Sequence, residues 1–149
     1  MCSLESDMKK RNVLQWVLIL GAAFGVNLAI AAETDLPAIQ HAGDVTYLTG
    51  GIGSDQARAI KDVMHNYPMV LTFVGKTSNQ NQYLSDVPVT ITDGKGNTVL
   101  EASSDGPFML VSLPSGHYTV SVSYKGQAEH RTMNITNDAH ARQTFVWAM

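Results

Sequence analysis

The chain has almost no cysteine and only a small share of charged residues. Cys2 is its only cysteine, and it precedes the apolar N-terminal run, so the rest of the chain can form no disulfide, thiolate metal site or cysteine nucleophile. A formal net charge of −3 argues against the basic surface that nucleic-acid binding requires. Because 44% of the residues are hydrophobic and 15% charged, the composition is globular rather than disordered.

Catalytic signatures are also missing. Ser54, Asp62 and His65 are present, but without a Gly-x-Ser-x-Gly elbow they do not indicate a hydrolase. The glycine-rich start at Gly50–Asp55 lacks the Lys-Ser/Thr pair of a phosphate-binding loop. We therefore predict that the protein is not an enzyme and has no catalytic, cofactor-binding or metal-binding residues and no cofactor.

One alternative function stays open, that of a periplasmic copper- or metal-handling protein. His65 follows a methionine, and thioether and imidazole groups suit cuprous ions. The methionines concerned are Met64, Met69, Met109 and Met133. In the competing interpretation these side chains fill the core and the histidine points to solvent.

The N-terminus has the three parts of a secretory signal. Lys9–Arg11 is basic, Val13–Val26 is apolar apart from one glutamine, and an Ala-x-Ala pattern follows. We predict a signal peptide over residues 1–31, a true start at Met8, and cleavage after Ala31 or Ala32. Export through the general pathway would place the mature chain in the periplasm, with membrane contact only before cleavage. A retained anchor is the alternative.

Residues 32–53 show no sustained periodicity and predict a flexible lead-in, with a short extended piece near Val45–Leu48. Apolar residues then recur at helical spacing, which predicts an amphipathic helix over residues 54–67. Ser54 or Asp55 is the expected N-cap. Pro68 ends the helix, because the residue before a proline is disfavoured in the helical region.

Downstream of this proline the hydrophobic period becomes two. The clearest strand alternates Tyr118, Val120, Val122 and Tyr124 with small polar residues, as expected for a sheet with one solvated face. Glycine- or proline-bearing turns separate about seven short strands over residues 68–149. The pattern predicts an all-β fold, an immunoglobulin-like β-sandwich preceded by one helix.

The segment from Asp86 to Tyr124 resembles a carboxypeptidase regulatory-like domain, a sandwich of the transthyretin-like kind. Three pieces carry the resemblance in order: Val87–Asp93 with its glycine turn, Ser104–Phe108, and Leu113–Val120. The mature chain is also similar to small periplasmic proteins in which a Gly-Gly-Ile-Gly start and a helix precede this module. The resemblance implies a fold but no activity, because such modules are accessory parts of many proteins.

Two sets of residues follow from these patterns. The structural set comprises Tyr118 as a tyrosine corner, with Gly116, Asp105 and Gly106 in turns. Asp105 and also Asp93 are expected to bond the backbone of their own turns through their side chains. The contact set is the polar loop from Lys76 to Gln82 and its border, because loops on a rigid scaffold often carry function. Its candidate residues are Lys76, Asn79, Asn81 and Tyr83. We predict an exported, non-enzymatic accessory or binding module whose partner is an envelope protein or a glycan, and not nucleic acid.

Overall fold

The computed structural model describes residues 35–149, so the predicted signal peptide and true start lie outside the described residues. Within residues 35–149, no helix has the length and apolarity that a membrane crossing requires. This part of the chain forms a single unit with one α-helix and ten strands. The elements are β1 (Gln40–Ala42), β2 (Val45–Gly50), α1 (Ser54–Val63), β3 (Met69–Lys76), β4 (Asn81–Tyr83), β5 (Pro88–Asp93), β6 (Thr98–Ser103), β7 (Phe108–Ser112), β8 (Gly116–Tyr124), β9 (Gln127–Ile135) and β10 (Ala141–Ala148).

The strands form two sheets. Sheet A has the order β1-β2-β7-β3-β10, and β4 also pairs with β3. Sheet B has the order β6-β5-β8-β9. The pairings are antiparallel except that of β3 with β10, which is parallel from Ala141 beside Met69 to Ala148 beside Lys76. The predicted all-β sandwich is confirmed.

The main core lies between the two sheets. It contains the inward side chains of both sheets, among them an aromatic cluster in which Phe145 lies 6.1 Å from Phe73 and 6.2 Å from Trp147, centroid to centroid. Met69, Met109 and Met133 are buried in the same core. Each fully buried apolar side chain of this size contributes about 1.5–3 kcal/mol through removal from water.

A second, smaller core covers the outer face of sheet A. Ile60 of α1 is fully buried against Leu48, Val70 and Leu110. Sheet A is therefore apolar on both faces, which explains why β3 is an almost continuous apolar run. Sheet B has a solvated outer face, and β8 accordingly alternates along its length. The molecule has three layers: the helix, sheet A and sheet B.

The predicted flexible lead-in over 32–53 is corrected by the structure for its described part. Residues 45–50 form β2, which pairs with β7 from Thr46 beside Ser112 to Gly50 beside Phe108. Tyr47 and Leu48 are buried on opposite faces of sheet A. The short extended piece predicted near Val45–Leu48 lies within β2. Because a strand buried on both faces does not alternate, the sequence did not predict its full length or its place in sheet A.

The predicted helix over 54–67 is observed as α1 followed by a 3₁₀ turn at Met64–Asn66. The predicted cap was wrong. Gly53 is the N-cap residue, and neither Ser54 nor Asp55 caps the helix with its side chain. Instead, the Gln56 side chain reaches back and accepts a hydrogen bond from the Gly51 amide at 2.7 Å.

The structure has ten strands where the sequence predicted about seven. The additional strands are β1 and β2, in the predicted lead-in, and β4, in the predicted contact loop. β1 and β4 have three residues each. Strands of three residues are stabilised by pairing with a longer neighbour, so the local sequence of β1 and β4 does not predict them.

Candidate functional site

The predicted contact loop is a hairpin with a short turn. β3 extends to Lys76, β4 begins at Asn81, and the turn is closed by the Thr77 amide donating to the Gln80 carbonyl at 2.9 Å. The loop is therefore four residues long rather than seven. Of the candidate residues, Asn79 lies in the turn, Lys76 ends β3, and Asn81 and Tyr83 belong to β4.

Tyr83 is a large exposed ring that the fold holds in place. Its side chain is 58% exposed, and its ring centroid lies 5.5 Å from that of Phe108 in β7. Tyr83 is paired in register with Val74 of β3, and Val74 is paired in register with Val146 of β10, so the three residues form a row across the strands. A braced aromatic side chain loses little conformational entropy when a ligand covers it.

Tyr83 borders three adjoining depressions at one end of the sandwich. The largest, about 620 Å³, is also lined by Asp86, Tyr124 and Lys125. A second, about 350 Å³, includes Ile52, and a third, about 250 Å³, includes Asn81 and Val74. We call this region the Tyr83 end; it comprises residues 50–53, 81–88, 104–107, 123–127 and 147–149.

Two backbone positions at this end are unusual. Asp86 and Lys125 have φ angles of 58° and 48°, a region that non-glycine residues seldom adopt. Lys125 and Gly126 form the two-residue turn between β8 and β9, where positive φ at both positions matches the twist of the strands. Asp86 is held by its amide, which donates to the Ser104 carbonyl at 2.8 Å.

The largest depression carries both signs of charge. Asp86 and Lys125 line it, yet the only ion pair among residues 35–149 joins Arg131 to Glu129 on β9. The Lys125 ammonium lies 5.5 Å from the Tyr124 ring centroid. The carboxylate and the ammonium are thus both open to a ligand, beside two aromatic rings.

A buried hydrogen-bonded frame lies beneath this surface. Ser104 is fully buried, and its hydroxyl accepts from the Val87 amide at 3.0 Å. The Thr49 hydroxyl donates to the Phe108 carbonyl at 2.9 Å and accepts from the Asp105 amide at 3.1 Å. These bonds join β2 and the residue before β5 to the turn at 104–107, and β2 to β7, so the Tyr83 end rests on a rigid base.

The two predicted structural residues of this turn act through the backbone. A Cβ atom on Gly106 would lie 2.5 Å from the carbonyl group of Gly50, so only glycine allows this approach. Asp105 was expected to bond its own turn through its side chain. That side chain is exposed, and the backbone amide makes the contact with Thr49 instead.

The opposite end of the sandwich, residues 93–97, 113–118 and 134–140, is called the Tyr118 end. The Tyr118 hydroxyl donates to the Pro114 carbonyl, four residues earlier, at 2.7 Å, the bond that a tyrosine corner requires. A Cβ atom added at Gly116 would lie 3.6 Å from the Tyr118 ring, an ordinary contact distance, so the packing here does not itself require glycine. Burial, and to a lesser extent the charge of Asp93, raises the pKa of Tyr118.

Asp93 organises the neighbouring turn, as the sequence predicted. Its carboxylate accepts from the backbone amides of Lys95 and Asn97, both at 2.9 Å. The amide of Asn97 is the main cause that lowers the pKa of Asp93 below its ordinary value of 3.8. The turn between β5 and β6 is therefore a self-contained structural element.

The residues of the metal hypothesis are dispersed. Met69 and Met109 are fully buried in the main core, and Met64 packs in the smaller core under α1, whereas His65 is exposed. Among residues 35–149, no group of three or more histidine, aspartate or glutamate side chains could hold a metal ion. These positions favour the interpretation in which the methionines fill the core.

Sequence reasoning missed one pair of potentially reactive side chains. The Ser121 hydroxyl lies 2.9 Å from Nδ1 of His130, across β8 and β9 on the solvated face of sheet B. The sequence could have predicted this pair, because residues equally distant from the two-residue turn Lys125–Gly126 lie opposite each other in the hairpin. A nucleophile would also need an oriented base and a site for the oxyanion, and this flat face shows only a polar cross-strand contact.

Comparison of the chain with protein-family models and with curated proteins found no match. Functional interpretation therefore depends on the geometry of the described residues. That geometry distinguishes the two ends of the sandwich. The Tyr118 end carries structural hydrogen bonds, and the Tyr83 end carries exposed apolar side chains around concave surfaces.

Proposed function

We propose that this protein is an exported, non-enzymatic binding or accessory module of the cell envelope that engages its ligand, an envelope protein or a glycan, at the Tyr83 end. The observation that carries the proposal is Tyr83 itself, an exposed ring braced by Phe108 and bordering three depressions. Tyrosine is enriched among the residues that contribute most to binding energy.

Other features of the same end support the proposal. Ile52 lines one depression with Tyr83 and is 65% exposed, and Met149 lines a further depression with Tyr124 and is 47% exposed. Exposed apolar side chains around concave surfaces are typical of interaction sites. The largest depression, at about 620 Å³, is within the range of ordinary ligand sites. It adds hydrogen-bonding groups and both charge signs, which can orient a ligand.

The family resemblance belongs to the same proposal. The order of β5, its glycine turn, the turn at Gly106 and the Tyr118 corner supports a relationship to carboxypeptidase regulatory-like domains. Export is proposed from the N-terminal sequence. N-terminal sequencing of the protein recovered from the periplasm should begin at Ala32 or Glu33; a chain retained in the inner membrane with its N-terminus intact would contradict export.

The binding surface can be tested in living cells by photo-crosslinking. A photoreactive amino acid is placed at Tyr83 or, as a matched control, at Lys95, an exposed turn residue of the Tyr118 end. We expect a discrete adduct from position 83 and none from position 95. Adducts from position 95 alone, or equal labelling from both positions, would contradict the proposal.

A further inference from the structure

The free edges of the two sheets are protected to different degrees. An exposed edge strand invites pairing with another chain unless it is short, irregular or charged. β1 has three residues, β6 contains a register shift opposite Ile91 and Thr92, and β9 carries Glu129, His130 and Arg131. β10 has eight residues and no charged side chain after Arg142. Among the described strands, β10 is the long edge with no charged residue of its own after Arg142, and beside it lies Arg131 of β9, whose guanidinium is 5.9 Å from the Phe145 ring centroid.

The hydrogen bonds show which backbone groups of β10 are free for pairing. The Ala141 amide donates to the Pro68 carbonyl at 2.7 Å, and the Met149 amide donates to the Lys76 carbonyl at 2.9 Å. Odd-numbered residues therefore bond to β3, and residues 142, 144, 146 and 148 direct their N–H and C=O groups outward. The Gln143 side chain covers one of these groups, donating to the Thr144 carbonyl at 2.9 Å.

The same residues present a distinctive set of side chains. Val146 is 49% exposed and continues the row formed by Tyr83 and Val74 across β4 and β3. An added strand would occupy the next place in this row. At the other end of β10, Arg142 is exposed and contacts the Met64 sulfur at 3.6 Å. It makes no ion pair with an acidic residue among those described.

We propose that β10 binds an extended segment of a partner protein, which adds to sheet A as an antiparallel strand. Antiparallel pairing is the more stable geometry, and strand addition takes its affinity from the main chain and its specificity from alternate side chains. An apolar side chain of the segment lies beside Val146. An acidic side chain, four residues later in the segment, lies beside Arg142, where opposite charge favours the correct register.

Charge distinguishes such a segment from a second copy of this chain. β10 contains no acidic residue, so an antiparallel pair of β10 strands would leave Arg142 without a complementary partner. The proposal uses the outward backbone edge of β10, which meets the Tyr83 end at residues 147 and 148 but does not depend on the Tyr83 ring. It therefore stands if substitution of Tyr83 proves to have no effect on ligand binding.

The test uses protein purified after expression of the full chain and a fluorescein-labelled peptide of sequence TTVTTTET. A second peptide, TTVTTTKT, reverses the charge. Anisotropy titrations should show about threefold tighter binding of the glutamate peptide to the wild type, as expected for a partly exposed ion pair. Arg142→Glu should reverse this preference. Equal affinities of both peptides for both proteins, or no binding of either peptide, would overturn the proposal.

Backbone pairing is tested separately with Val146→Pro. The Val146 amide points outward, so proline is compatible with the folded edge strand but removes a donor that the peptide needs. We expect at least tenfold weaker peptide binding with an unchanged circular dichroism spectrum. If this variant does not fold, Val146→Lys replaces it, with Thr132→Lys on β9 as the matched control that should bind normally. Wild-type affinity in the folded position-146 variant would contradict strand addition.

Sedimentation equilibrium without peptide tests whether the β10 edge binds a partner protein or a second copy of this chain. The proposal predicts a monomer over the concentration range of the titrations. A dimer that dissociates on dilution and is abolished by Val146→Lys would assign the edge to a second copy and overturn the proposal of a peptide partner.

Discussion

The two ends of the sandwich use tyrosine in opposite ways. Tyr118 is 6% exposed and bonds to Pro114, four residues before it in the chain, whereas Tyr83 is 58% exposed and packs one side of its ring on Phe108. The first residue fixes a crossover between strands, and the second offers a surface. The difference shows that tyrosine stabilises the fold at one end and forms part of an exposed surface at the other.

The largest expected effect is that of Tyr118→Ala, and Tyr83→Ala is the comparison at the other end. Tyr118→Ala removes a buried ring and a hydrogen bond and should lower the free energy of unfolding by about 3–5 kcal/mol. Tyr83→Ala removes an exposed ring and should lower it by less than about 1 kcal/mol. Urea unfolding measures both values. Equal losses would remove the distinction between the two ends.

A smaller loss is expected from Gly106→Ala. The new methyl group would meet the Gly50 carbonyl at 2.5 Å, so β2 and the turn at 104–107 must separate. Overpacking of this kind costs about 1–3 kcal/mol. Gly94→Ala is the control, because its methyl group would lie 3.7 Å from the nearest atom, the His117 carbonyl oxygen. A Gly106 variant as stable as the control would show that this contact does not constrain the frame beneath Tyr83.

Tyr118→Phe isolates the hydroxyl of the tyrosine corner. Loss of the bond to Pro114 should lower the free energy of unfolding by about 1 kcal/mol. Because the pKa of Tyr118 is raised in the fold, the free energy of unfolding of the wild type also depends on pH. The neutral hydroxyl is favoured in the fold, so this contribution is complete below the unfolded-state pKa and is lost as the pH rises through the folded-state pKa. An unchanged melting temperature for the variant would exclude a stabilising role for the bond.

The smallest effect is expected at Asp93, in the exposed turn of the Tyr118 end. Because its pKa is lowered in the fold, the carboxylate stabilises the protein above its unfolded-state pKa. That contribution is lost as the pH falls through the folded-state pKa. Asp93→Asn keeps an acceptor oxygen but does not titrate. The stability difference between the wild type and the variant should therefore shrink between neutral pH and pH values below 3.8. A difference that is constant with pH would contradict the role of this charge.

Sheet B could be predicted from sequence because each of its central strands has one wet face. Tyr118, Val120 and Val122 alternate with small polar residues, and glycines mark the turns that follow. The turn that Asp93 stabilises could also be predicted, because the carboxylate bonds to backbone amides only two and four residues away. Local patterns suffice where the stabilising contacts are themselves local.

Sheet A was harder to predict because its contacts are distant in sequence. β2 is buried on both faces and pairs with β7 some sixty residues later, so its pattern predicted only a short extended piece within a flexible lead-in. β4 was absorbed into a predicted loop. Tyr83 was selected as a loop residue, but its bracing by Phe108 depends on β4 and β7 flanking the same strand, β3. A contact of this kind can be predicted only when the order of the strands in the sheet is known.

The central claim is that the Tyr83 end is covered by a ligand in the cell while the Tyr118 end is not. Hydroxyl-radical footprinting with mass spectrometry tests it directly, by comparing living cells with the purified protein. We predict that oxidation of Tyr83 and Met149 falls severalfold in cells, whereas oxidation of His117, exposed at the Tyr118 end, stays the same. Equal oxidation of Tyr83 in cells and in the purified protein would contradict the claim.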